Sequence, residues 1–159
     1  MFFRRFVPGT DDLFTGIKFL TQNVRLPGGG RRGGGGLAFE LPQRYYDWEF
    51  MLASFPASTS AVRRHLPSPK LKPVELVPGT TLVSLGAFEY RKAKSLKPYN
   101  EVAIMFPVRC QPAFGVPALP LLLPTWFKDV GYYVLHLPVT MPDSCAAGVQ
   151  IWNFPKVVA

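Results

Sequence analysis

The chain has 159 residues, of which 48% are hydrophobic and 14% aromatic, and a formal charge of +8; this is enough for one buried core and too little for two ordinary domains. Its best apolar run, residues 116–127, is interrupted by Pro117, Pro120 and Pro124, which argues against a membrane-spanning helix. Seven basic residues face three acidic ones over 1–44, and eleven face seven over 45–159, so neither part is a concentrated polybasic arm for nucleic acid, although a mild positive field would draw in a small carboxylate.

Met1 to Phe6 carries Arg4 and Arg5 without a following apolar stretch or cleavage site, and Asp11-Asp12 is unlike a transit peptide. Cys110 and Cys145 lack metal-type spacing and are too few for a disulfide framework. The expectation is a cytoplasmic protein with no metal. Residues 11–20 suggest one short helix with acids in its first turn. Residues 27–36, Pro-Gly-Gly-Gly-Arg-Arg-Gly-Gly-Gly-Gly, lose too much backbone entropy on ordering to form a regular element and read as a flexible linker. Residues 1–44 are accordingly set apart as a variable N-terminal segment, and 45–159 as the folded domain.

Ser58 or Thr59 is placed to cap a helix over Ser60–Leu66, which Pro67 ends. Val77-Pro78-Gly79-Thr80 is a turn signal, and residues 81–90 form a strand-like run after it. The basic residues Arg91, Lys92, Lys94 and Lys97 read as a solvated loop face. Glu101 to Arg109 is almost wholly apolar after its glutamate, as in a strand covered on both faces. Residues 132–139 alternate, with Tyr133, Leu135, Leu137 and Val139 on one side and His136 on the other. Met141-Pro142-Asp143 opens a last helix, and Asn153-Phe154-Pro155 stops it. Several strands, proline-rich connections and two or three short helices indicate a mainly β, α+β-type protein built as an antiparallel barrel or cone.

A single lysine, Lys156, follows that last turn. An ordinary lysine has a pKa near ~10.4, so at neutral pH its amine is almost always protonated and cannot attack a carbonyl. Burial against Trp152 and Phe154 is the expected means of favouring the free amine, since fully buried lysines can fall by roughly 3–5 units.

The segment Ala147-Gly148-Val149-Gln150-Ile151-Trp152-Asn153-Phe154-Pro155-Lys156 resembles the signature of the acetoacetate decarboxylase family. Tyr99-Asn100-Glu101, leading into Val102 to Val108, resembles the family's pocket glutamate and its strand. Ser60 to Pro67 resembles its early helix. The resemblance runs from about Tyr45 to the last residue. It implies a β-barrel or cone and a Schiff-base lyase that acts on a small β-keto acid, taking acetoacetate to acetone and carbon dioxide. In this reading Lys156 is the nucleophile and Glu101 orients substrate or handles a proton, with Trp152, Phe154 and His136 around the pocket. An imine is its own electron sink, so no cofactor is implied. The acetoacetate decarboxylase lysine is itself a standard example of an amine activated by desolvation or by a neighbouring cation.

The sequence also departs from the family. Members often carry a second lysine directly after the first, where this chain has Val157, so burial has to act without an adjacent cation. Near Trp48 and Gly86 the arginine and second acid used by decarboxylating members have no counterpart. An imine-forming aldolase or dehydratase therefore stays open, as does a non-catalytic fragment or binding module on the same scaffold. Family members continue well past the lysine, which implies that this chain corresponds to a first part, inactive if the barrel is left open, and that a full-length protein is a homo-oligomer. Arg25, Arg31 and Arg32 among glycines faintly resemble arginine-glycine segments that bind single strands, but the repeats are too few, and no nucleic-acid or membrane partner is expected.

Overall fold

In the computed structural model of the protein, residues 18–26, 36–110, 117–123 and 126–159 are described. Strands β1 (Leu20–Arg25) and β2 (Gly36–Leu41) form an antiparallel pair with Leu20 opposite Leu41 and Arg25 opposite Gly36. Val24 and the Phe39 ring share one face of this pair and are completely buried. The helix expected over 11–20 lies outside the described residues except at 18–20, where Leu20 begins β1; the linker expected at 27–36 lies outside them except for Gly36.

The remaining elements are β3 (Tyr45–Ser58), α1 (Thr59–Arg63), β4 (Leu71–Pro73), β5 (Thr80–Ala93), β6 (Tyr99–Cys110), α2 (Leu119–Leu122), β7 (Val130–Val139), α3 (Pro142–Trp152) and β8 (Lys156–Val158). The long strands lie in the order β3-β5-β6-β7-β8, with β4 on β6. The β-rich fold with three short helices is the one anticipated, with one correction to its antiparallel character: β8 runs parallel to β7, Leu137 facing Lys156. A parallel neighbour needs a crossover connection, and α3 is that crossover.

Local chemistry accounts for the boundaries. Gly79 adopts φ +83° behind Pro78, the backbone that a turn with proline second and glycine third requires, and Thr80 N–H closes it on Val77 O at 3.0 Å. α1 is shorter than the anticipated 60–66 helix. Arg64, His65 and Leu66 continue it only through bonds to the third preceding carbonyl, a tightening usual at helix ends. Ser58 stands at its N-cap position, but its hydroxyl meets Ser60 Oγ at 2.9 Å instead of capping. β6 is covered on both faces only from Met105 to Arg109; at its start, Tyr99, Glu101 and Ala103 are buried while Asn100 and Val102 are exposed.

The described residues fall in two compact units, one within Met1–Met51, Ala87–Val102 and Leu137–Ala159, the other Leu52–Gly86 with Ala103–His136. In the first, Val24, Phe39, Leu96, Tyr99, Ala146 and Ala147 form the core. The β1/β2 pair, lying inside the segment set apart at 1–44, is tied to α3 there: Arg25 N–H donates to Gln150 Oε1 at 3.0 Å, and Gln150 Nε2 donates back to Arg25 O at 2.7 Å. In the second, Val62, Phe106 and Val108 are the buried centre. No helix among the described residues is long and apolar enough to cross a membrane.

Candidate active site

α3 ends where Asn153 takes the left-handed conformation, φ 54° and ψ 33°. Asparagine tolerates this region better than most side chains, and Pro155 cannot continue a helix. Asn153 and Phe154 N–H groups close on Val149 O and Gly148 O at 3.2 and 3.0 Å. The chain thus doubles back, and β8 returns beside the helix it has just left. Cys145 Sγ meets Lys156 O at 3.5 Å on the way.

This reversal lays the Lys156 side chain over α3. A Cβ added to Gly148 would stand 2.3 Å from Lys156 Cδ and 2.6 Å from Cε, so any side chain there would push the lysine stem out of this position. Ser144 lies one turn earlier on the same helix face, as residues four apart do. Its hydroxyl is where the stem ends: Lys156 Nζ donates to Ser144 Oγ at 3.2 Å.

The other partner comes from β6. Asn100 at its start is held to Thr140, two residues before α3, its N–H donating to Thr140 Oγ1 at 2.9 Å and its carbonyl accepting from Thr140 N–H at 3.0 Å. Glu101, pointing inward from the next position, receives Nζ at 2.5 Å on Oε2. The two side chains are only 8% and 10% exposed. Nζ also lies 5.4 Å from the centroid of the Tyr99 ring, a cation–π distance.

Tyr99 belongs to a trio. Its ring stacks on Tyr90 at 4.6 Å, Tyr90 packs on Tyr45 at 4.8 Å, and the Tyr45 and Tyr99 hydroxyls are 3.3 Å apart. Burial first, and then neighbouring negative charge that includes Glu101, holds the phenols of Tyr90 and Tyr99 above their ordinary value; Tyr45 is raised by the same burial, with a smaller push from Glu101. Raised phenols stay protonated at neutral pH. In that form they cannot act as bases, and the Tyr45 and Tyr99 hydroxyls share one hydrogen bond between them.

Lys156 and Glu101, separated by 55 positions in sequence, are thus brought into direct contact. Trp152 and Phe154 are placed otherwise. Trp152 stands edge-on to Phe39 at 5.7 Å, Phe154 stacks on Trp152 at 6.5 Å, and the two residues stay 40% and 41% exposed. The expectation that they dry the amine is therefore corrected: the ring over Nζ is Tyr99, and the amine is enclosed by a carboxylate and a hydroxyl. His136 is exposed on β7. Ser144, Tyr45 and Tyr90 were missed from sequence; a small polar residue four before Gly148 was the available signal for the first.

A buried ion pair is poor evidence for stability, because desolvating both charges offsets most of their attraction. What distinguishes this one is convertibility. A proton moved from Nζ to Glu101 leaves a neutral amine beside a neutral acid with no net charge stranded in the interior. That is the arrangement needed for attack on a carbonyl.

The model of the acetoacetate decarboxylase family matches residues 30–159. Among solved structures, the chain is similar to acetoacetate decarboxylase from Legionella pneumophila, with 20% identity and a TM-score of 0.54, over 74% of this chain and 38% of that one. The chain thus spans well under half the length of that structure. No curated protein matches the sequence.

Proposed function

The chain belongs to the acetoacetate decarboxylase family, and from that premise we propose that it carries the imine-forming site of a carbon–carbon lyase, with Lys156 as nucleophile, Glu101 as its proton partner and a small β-keto acid such as acetoacetate as substrate. The observation that carries this reading is the 2.5 Å contact between Nζ and Glu101 Oε2 in the interior. Glu101 takes one proton from the ammonium, and the freed amine adds to the ketone carbon. The carbinolamine loses water, assisted by proton return from Glu101, and leaves a protonated imine β to the carboxylate. The carbon–carbon bond to the carboxylate then breaks, carbon dioxide departs, and the electron pair enters the iminium to give an enamine. Protonation at carbon and hydrolysis return acetone and the amine. The side chains supply the electron sink themselves.

Val157 follows the lysine where many family members carry a second one. In this reading, proton transfer to Glu101 takes the place of a neighbouring cation as the means of freeing the amine. The test is reductive trapping: incubate with acetoacetate or acetylacetone, add borohydride, and locate the adduct by mass spectrometry. A mass increase on Lys156 supports the reading, and folded protein without an adduct at that residue removes it. Release of carbon dioxide from acetoacetate separates decarboxylation from aldol chemistry through the same imine.

A further inference from the structure

We infer that Ser144 is a positioning residue for the nucleophilic nitrogen, an inference that rests on the imine reading above. Ser144 is 1% exposed, and a hydroxyl so deeply buried needs a partner. The partner is Nζ at 3.2 Å.

The need for such a group follows from the chemistry of the ion pair. While Lys156 is an ammonium, attraction to Glu101 holds its flexible four-carbon stem in place. Once the proton passes to Glu101, both groups are neutral and that attraction is lost, at the moment when the nitrogen must be aimed at a carbonyl carbon. A hydroxyl keeps its hold through the change, because it accepts an N–H from the ammonium and can either accept from or donate to the neutral amine. Glu101 loses its charge attraction in the same step and must turn its new O–H toward the nitrogen to hold it, and an apolar wall offers no hydrogen bond at all.

Gly148 and Ser144 then act at the two ends of one side chain. The open surface at Gly148 seats the stem, to within a distance that no Cβ could share, and Ser144 Oγ fixes the tip one helical turn away. Both lie on α3, so the helix that delivers the lysine also aims it. Misplacement of a reacting atom by about 1 Å can lower a rate by ~10²-fold.

The full chain and its Ser144→Ala, Ser144→Cys and Ser144→Thr variants, each verified as folded by circular dichroism, are mixed with acetylacetone and quenched with borohydride at intervals. Adduct on Lys156 is followed by mass spectrometry. Ser144→Ala should label about 10- to 100-fold more slowly while reaching the same final stoichiometry. Ser144→Cys retains the volume with a much weaker hydrogen bond, so it should be slow as well, and Ser144→Thr, which restores the hydroxyl, should return toward the wild-type rate. Labelling of Ser144→Ala or Ser144→Cys at the wild-type rate overturns the inference, since packing alone would then suffice; so does a folded Ser144→Thr as slow as alanine. A wild-type protein that gives no adduct brings down the imine reading itself, a result distinct from all of these.

Discussion

Each of the two units holds an ion pair beside an aromatic ring, and the two pairs differ in one chemical respect. In one, Arg109 Nε donates to Asp129 Oδ2 at 2.7 Å, the side chains being 11% and 28% exposed, with the guanidinium 5.0 Å from the Phe127 ring centroid. In the other, Lys156 donates to Glu101 at 2.5 Å under the Tyr99 ring. Both join a cation, a carboxylate and an aromatic face. A guanidinium keeps its proton in proteins, whereas an ammonium can surrender one to its partner. The first pair is therefore restricted to structure, and only the second has a cation able to give up its proton, as the proposed function requires. Similar geometry does not mean similar capability.

The sharpest way to break this comparison is Lys156→Arg, which turns the second pair into a copy of the first. Borohydride-trapped adduct should fall to background while the variant keeps its positive charge; an adduct elsewhere in the chain at wild-type yield would show that the nucleophile had been misassigned. Glu101→Gln comes next. It strands an ammonium in the interior, and removing one member of a buried pair costs about 3–5 kcal/mol, so urea unfolding should show a large loss. Trapping should slow by roughly 10²- to 10⁴-fold as the proton acceptor disappears. The double replacement Lys156→Met with Glu101→Leu should recover most of that stability with no adduct at all, because apolar isosteres often match a buried pair.

Gly148→Ala tests the seat of the lysine. The new methyl would stand 2.3 Å from Lys156 Cδ, and overpacking of this kind costs about 1–3 kcal/mol. Trapping should fall by roughly 10²-fold through displacement of the nitrogen. The same variant made with Lys156→Ala should lose the stability penalty, since the clashing stem is gone.

The tyrosine trio gives a pH signature to the lysine-bearing unit. The phenols of Tyr45, Tyr90 and Tyr99 are raised above 10.0 by burial, so the folded state binds protons that the unfolded chain releases near that pH. Their contribution is fully present below about pH 10 and is lost as pH rises beyond it. Phenolate absorbance of these three should appear together with loss of circular dichroism; smooth ionisation in folded protein would contradict their burial. The smallest effect is expected at the other pair. Asp129→Asn should lower stability by about 1.5–3 kcal/mol, the range for a hydrogen bond to a charged group, and leave the Lys156 trapping rate unchanged.

Much of the β-rich architecture was legible. The alternation over 132–139, the turn at Pro78-Gly79 and the stop at Asn153-Phe154-Pro155 are local signals, and each corresponds to an observed element. β3 was not read as a strand, although Trp48 and Phe50 alternate with Asp47 and Glu49; its acids find Arg91 on β5, at 2.9 and 3.1 Å, a pairing that no window of neighbouring residues reveals. β8 is three residues long, too short to carry a period. The role given to Trp152 and Phe154 followed from adjacency along the chain, whereas enclosure of the amine depends on what the sheet brings across from β6.

The sequence alone determined that a lysine would stand just past a helix, behind a turn that asparagine and proline make sharp, and that a glycine would lie one side-chain length back on that helix. Those are consequences of backbone sterics within a dozen residues. Only the tertiary structure decided which atoms meet the amine, because Glu101 and Tyr99 arrive from a strand more than fifty positions away. Whether that nitrogen faces water, an aromatic edge or a carboxylate depends on how β6 and α3 pack, and burial by packing sets the energy of a charge more strongly than any neighbour in sequence.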